Sequence, residues 1–167
     1  SYALWYLHDS VHLNAARMML GTTCAVTGTG FGFTRELLEK CGGWNFFTLT
    51  EDIEFDTWCA THGVRIGFNR RAMLYDEQVS SFAQSWKQRI RWTQGGIQVS
   101  LLYAKDYLRG MLRGGRTAWA SFECATLSLF GYGLSILSVV AVALSAAAEH
   151  GTTGFLVALL GGTAGLY

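Results

Sequence analysis

The chain has no proline and only four cysteines in 167 residues. Without proline no residue imposes a fixed φ, so the turns fall to its 20 glycines and to polar side chains. Cys24, Cys41, Cys59 and Cys124 form no CxxC and no metal-ligand spacing. That excludes a zinc ribbon and a disulfide framework, and it reads as mostly buried, reduced thiols on a cytosolic face. The glycine run Gly28-Thr29-Gly30 has no following GK[ST] and no GxGxxG, which excludes a P-loop and a dinucleotide fingerprint. A net charge of +1 gives no ground for a nucleic-acid partner. No signal peptide is visible. With Ser first and an apolar segment last, the chain reads as a fragment.

Charge is also missing locally. Between Cys124 and Ala148 there is no charged residue, and a helix of about 20 apolar residues spans the hydrocarbon core. A transmembrane span over 124–148 is therefore expected, with a second, truncated one from Phe155 to Tyr167. Between residues 85 and 118, Lys87, Arg89, Arg91, Lys105, Arg109, Arg113 and Arg116 stand against a single Asp106, and Glu149 follows the span. This asymmetry places the N-terminal side in the cytosol. Over residues 97–112, Ile97, Leu101, Leu102, Leu108, Met111 and Leu112 alternate with Lys105 and Arg109. That pattern suits a helix lying in a membrane surface, or an ordinary packed amphipathic helix.

The first hundred residues mix charged, aromatic and apolar positions as a globular domain does. A helix is expected over residues 9–20, with His8 and His12 four apart as a solvated or packed pair rather than a metal site. Thr23–Thr27 is apolar and β-rich and runs into the Gly28-Thr29-Gly30 turn, where glycine serves either the turn or the close approach of a ligand. Thr34 caps a helix that Gly42-Gly43 ends, and Thr50 begins another, from Glu51 to His62, stopped by Gly63. Val64–Phe68 and Ala72–Tyr75 read as a hairpin around Asn69-Arg70-Arg71. Ser80 or Ser81 caps a helix in which Phe82, Trp86 and Ile90 recur every four residues, and Gly95-Gly96 is expected to break it.

On that helix Gln88, Arg91 and Trp92 share one face. They present an amide, a planar cation matched to phosphate oxygens, and a flat ring matched to the apolar face of a sugar. A helix with Trp in the core and Arg at its rim would look the same. Glu51, Asp52 and Glu54 crowd the start of the preceding helix, where acidic residues complement the macrodipole whether or not one is catalytic.

Thr50-Glu51-Asp52 at a helix start, a β-hairpin ending Tyr75-Asp76-Glu77-Gln78, Gln88-x-x-Arg91-Trp92 and a membrane segment together resemble the processive family 2 glycosyltransferases. These are the membrane synthases of cellulose, hyaluronan, chitin and poly-N-acetylglucosamine. Gly28-Thr29-Gly30 and Gly42-Gly43-Trp44 fit as well, and the match is close over residues 23–100. The resemblance implies an α/β fold: residues 1–96 as the C-terminal, acceptor-and-base half of a GT-A nucleotide-sugar transferase domain, 97–118 as an interfacial amphipathic segment, and 122–167 as transmembrane helices. It implies Asp52 as catalytic base, with Thr50 and Glu51 of the same motif at the substrate. Gln88, Arg91 and Trp92 would hold the nucleotide diphosphate and the acceptor end of the growing chain, and Gly28 and Thr29 would lie beside the acceptor sugar.

The implied activity is inverting β-transfer from a nucleotide-sugar, a UDP-sugar by expectation, to a growing polysaccharide at the plasma membrane, with the catalytic part cytoplasmic. Such a displacement needs one base for the acceptor hydroxyl and cations for the leaving diphosphate. The family's Asp-x-Asp motif is absent, so Mg or Mn is expected on ligands outside this chain, no metal ligand is assigned within it, and the fragment alone is expected to be inactive. Val79 stands where the family has proline. Two alternatives remain: a non-processive transferase acting on a lipid carrier, which usually lacks the Gln-x-x-Arg-Trp helix, and a catalytically inert membrane interaction module.

Overall fold

A computed structural model describes residues 2–28, 30–126, 133, 136–145 and 148. The chain divides into two compact units, residues 1–125 and 126–167. In the second, residues 136–145 are helical.

The first unit is built from seven α-helices: α1 (Tyr2–His8), α2 (Ala15–Leu20), α3 (Arg35–Lys40), α4 (Glu51–His62), α5 (Phe82–Leu102), α6 (Ala104–Leu112) and α7 (Gly115–Ala125). The single helix expected over residues 9–20 starts earlier and is interrupted. A π-helical stretch, Asp9–Asn14, joins α1 to α2, and Gly21 ends α2 in the left-handed conformation. Inside this stretch Asn14 is buried and exchanges two bonds with Ala25, its Nδ2 donating to the Ala25 carbonyl and its Oδ1 accepting the Ala25 N–H. The chain end is thereby stitched to the extended segment that follows.

Local caps behave as the sequence implies. Thr34 Oγ1 accepts the Leu37 N–H, Ser81 Oγ accepts the Gln84 N–H, and Gly63 closes α4 at φ 73°. Thr50 does not act as a side-chain cap, because it is buried beneath α5.

Three expectations are corrected. The α/β architecture is not seen among the described residues, which hold helices and extended segments but no assigned strand. Residues 22–27 and 64–69 run extended and meet through Cys24 N–H to the Ile66 carbonyl, but the Ile66 N–H goes to Thr23 Oγ1 instead of a backbone oxygen. A ladder needs successive backbone pairs. The expected hairpin keeps its turn, with Ala72 N–H on the Asn69 carbonyl, without pairing its arms. Second, Gly95-Gly96 does not break α5, which runs through both to Leu102 because the two glycines are buried in a helix contact. Third, the amphipathic stretch 97–112 is two helices divided at Tyr103. In α6, Tyr107 and Gly110 are buried while Leu108 and Leu112 are exposed.

No helix among the described residues is long and apolar enough to cross a membrane. Of the expected span 124–148, residues 127–132, 134, 135, 146 and 147 lie outside the described residues, as does all of the truncated span from residue 155.

Two apolar clusters hold the unit together. Val26, Phe46, Phe55 and Cys59 form one, with Phe31, Trp44 and Trp58 packed against it. Val99, Tyr103, Tyr107 and Ala125 form the other, reached by Ile53 and Trp58. α4 contributes to both, so the acidic helix is the element on which the others converge. α6 and α7 meet at Gly110, where a Cβ would overlap the Ser121 hydroxyl and lie 3.4 Å from the Thr61 backbone.

Candidate active site

The site begins at the first turn of α4. Glu51 is exposed, Asp52 half-buried and Glu54 buried. Glu54 is occupied structurally: it accepts the Thr48 N–H at 2.9 Å and the Tyr103 hydroxyl at 3.4 Å. Asp52 is the carboxyl that is partly enclosed and still accessible. Burial pushes its pKa up; the Ile53 N–H pulls it down, Glu51 pushes it up and the Arg91 charge lowers it. A carboxylate raised in this way is a better proton acceptor than a solvated one.

The loop after the extended segment 22–27 passes directly over this carboxyl. Gly28 adopts φ 85°, and a Cβ there would stand 3.3 Å from Asp52 Oδ2. A side chain at residue 28 would crowd the carboxyl, so glycine both permits the turn and leaves Asp52 uncovered. Thr29 lies outside the described residues.

From the other side α5 grips the residues just before Asp52. Arg91 Nη1 donates to the Leu49 carbonyl at 2.9 Å, and Gln98 Oε1 accepts the Leu49 N–H at 3.3 Å. Between them Gly95 meets Thr50, which is 2% exposed. A Cβ on Gly95 would overlap the Thr50 side chain, its Cβ at 2.9 Å included. Residues 91, 95 and 98 lie on one helical face. The Gln-x-x-Arg-Trp helix and the Thr-Glu-Asp turn are therefore one structural unit.

Of the residues singled out from sequence, Gly28, Thr50, Asp52 and Arg91 come together, with Glu51 at the exposed edge. Thr50 does so as a packing residue. Gln88 Oε1 is buried with no hydrogen-bond partner in the described structure, and Trp92 is half-buried one turn further along α5. Among the described residues no three His, Cys, Asp or Glu side chains converge as a metal site, and His8 and His12 stand with ring centroids 5.3 Å apart.

The model of the glycosyl transferase family group 2 matches residues 5–150, most of the chain. The chain belongs to this family. Among curated relatives, the chain is 28% identical over 136 residues to the probable glycosyltransferase YdaM of Bacillus subtilis, covering 81% of this chain and 32% of the relative. It is 31% identical over 87 residues to the beta-monoglucosyldiacylglycerol synthase of Synechocystis, covering 52% of this chain and 18% of that one. A poly-beta-1,6-N-acetyl-D-glucosamine synthase of Staphylococcus aureus is 28% identical over 89 residues, covering 53% and 22%. The glycosyltransferase chain thus spans at most about a third of the length of these relatives. No solved structure gives a significant match.

Three residues near the site carry no functional signal in the sequence taken locally. Gly95 reads as a helix breaker, and Gln98 as one more polar residue on a helix. Their i, i+4, i+7 spacing from Arg91 is the signal that places them on its face. The third is Asp56, one turn after Asp52. Its Oδ1 is sealed from solvent with no partner, and its other contact is the Val26 N–H. Burial drives its pKa to about 7, against the pull of Arg17. Arg17 is engaged elsewhere, its Nε on Glu123 at 3.0 Å and its Nη1 on Asn14 at 3.4 Å.

Proposed function

We propose that the chain carries the acceptor and base half of a GT-A catalytic domain in a membrane-bound, inverting β-glycosyltransferase, which moves a sugar from a UDP-sugar to a growing polysaccharide. The observation that carries this reading is Asp52: a half-buried carboxyl with a raised pKa, left uncovered by Gly28 and held beside Arg91. In the reaction the acceptor hydroxyl gives its proton to Asp52 as its oxygen bonds to the anomeric carbon. The bond from that carbon to the diphosphate oxygen breaks, and the negative charge leaves with the diphosphate. Arg91 spends one N–H on the Leu49 carbonyl, and the rest of its five-donor fork suits the diphosphate. Gln88 and Trp92 extend the same face toward the acceptor sugar.

The donor half, and the Mg or Mn that neutralises the diphosphate when bound, belong to residues outside this chain. The described carboxylates make no cluster fit for a metal, and no step here runs through one.

Attachment to the plasma membrane with the catalytic part cytoplasmic rests on the uncharged run 124–148, the arginines before it, and the exposed Leu108 and Leu112 beside Lys105 and Arg109 on α6. A second reading, transfer to a lipid acceptor, is favoured by the 31% identity to a beta-monoglucosyldiacylglycerol synthase.

The test is Asp52→Asn in the full-length protein, with labelled UDP-sugars and the products partitioned between polymer and solvent-extractable lipid. The amide cannot take the proton, so transfer should fall by about 10²–10⁴-fold with folding retained. Turnover equal to wild type would remove Asp52 from the mechanism. Label recovered in the lipid fraction alone would select the second reading.

A further inference from the structure

At the far end of α4 from Asp52 two arginines line one small cavity. Where α2 and α4 end and α7 begins lies a cavity of about 140 Å³, lined by Gly21, Thr22, Thr23, Arg65, Arg116 and Thr117 among others. This is well below the roughly 300–1,000 Å³ of sites for drug-sized ligands, so its occupant is one small group. Arg65 and Arg116 come from distant parts of the unit's sequence, and no acidic residue lines the cavity with them.

The other arginines nearby are committed. Arg17 pairs with Glu123 and Arg109 with Asp106, and Arg113 donates to the Thr61 carbonyl. Among the described residues neither Arg65 nor Arg116 has a carboxylate within ion-pair reach. Arg65 reaches only the Met18 carbonyl, at 3.5 Å, and the Met18 sulfur.

Two glycines make the walls. Gly21, at φ 71°, lets the Arg116 guanidinium lie against the backbone, its Nη2 3.3 Å from where a Cβ would be, and Gly63 admits the Thr117 hydroxyl at 2.9 Å from its own missing Cβ. Two exposed guanidinium side chains at the mouth of one half-open cavity, with the Thr117 hydroxyl among its lining, are complementary to an anion with several acceptor oxygens. Neighbouring positions of the same two helices carry exposed apolar side chains: Met19 (89%) and Leu20 (76%) on α2, and Trp119 (56%) on α7.

We infer that this cavity binds a phosphate group through Arg65 and Arg116. The chemistry is that of a phosphate monoester or diester, supplied by an anionic phospholipid headgroup, whose chains would meet Met19, Leu20 and Trp119, or by free phosphate.

The test is a calorimetric titration of the full chain in neutral detergent. The probes are inorganic phosphate, dihexanoylphosphatidic acid and, as the uncharged-headgroup control, dihexanoylphosphatidylcholine. Saturable binding of phosphate or of the phosphatidic acid is expected, weakened about ten-fold or more by Arg65→Gln and by Arg116→Gln, and unchanged by Arg35→Gln, whose guanidinium pairs with Glu39 at the surface. Tighter binding of the phosphatidic acid than of phosphate assigns the headgroup, and equal binding assigns free phosphate. Melting curves establish folding of each variant. If a Gln variant does not fold, Arg116→Lys, which keeps the charge but loses the planar fork, reads the same contact. No saturable binding of either anion to wild type, or binding that survives in a folded variant, overturns the assignment.

Discussion

Gly95 of α5 and Thr50, the residue before α4, touch where neither tolerates more atoms. A Cβ at residue 95 would overlap the threonine side chain. This contact sets how closely the helix bearing Arg91 approaches the turn bearing Asp52. Gly95→Ala is expected to cost about 1–3 kcal/mol of stability by overpacking. Thr50→Ala removes two of the three encroaching atoms, so the double variant should recover part of that loss. A double-mutant cycle by thermal melting, with transfer rates alongside, measures the coupling. Strict additivity would mean that the two residues do not share the contact.

Arg91 and Trp92 should fail differently. Arg91→Lys keeps the charge but gives up the planar fork that holds the Leu49 carbonyl while offering further donors. A reduced transfer rate with little change in melting temperature is expected. Trp92→Phe keeps a flat face and should outperform Trp92→Ala, whose loss should fall on chain elongation. If α5 were merely packed, Trp92→Ala would cost the fold roughly 3–5 kcal/mol and Arg91→Lys would leave turnover untouched.

Asp56 makes stability depend on pH. Its folded pKa, about 7, lies above the ordinary carboxyl value. The folded state therefore holds a proton that the unfolded state releases, and stability falls as pH rises from about 4 to about 7, then levels off. Each tenfold difference in proton affinity between the two states is worth about 1.4 kcal/mol. Asp56→Asn, neutral throughout, should lack this decline and be the more stable form at pH 8. Denaturant melts of both proteins between pH 4 and 8 check it, and parallel curves would refute it.

What could be read from sequence was local. The caps at Thr34, Ser81 and Gly63 announce themselves within a few residues, as does the acidic first turn of α4, and all are where those signals put them. Gly95 could not be read so. In isolation a Gly-Gly pair marks a break, and only Thr50, far off in the chain and pressed against it, turns it into a close helix contact. The strands failed for a related reason. Pairing is a property of neighbours, and residues 22–27 and 64–69 have one backbone bond between them. Asp56, one turn beyond the acidic start of α4, carries no local signal; its enclosure depends on residues far off in the chain. In the candidate site, Asp52, Gly28 and Arg91 were legible as types at motif positions, but the grip of Gln98 and Arg91 on Leu49 was not.

Glu54 binds the Thr48 N–H and the Tyr103 hydroxyl together, so one carboxylate joins the loop before α4 to the residue dividing α5 from α6. Opening is therefore collective. Releasing the loop would leave the buried Glu54 carboxyl without its Thr48 partner, so the amides from residue 48 to 54 are expected to open together with those around Tyr103. Asp52, the proposed base, is then expected among the slowly exchanging residues, with the motion that catalysis requires supplied by the chain around it.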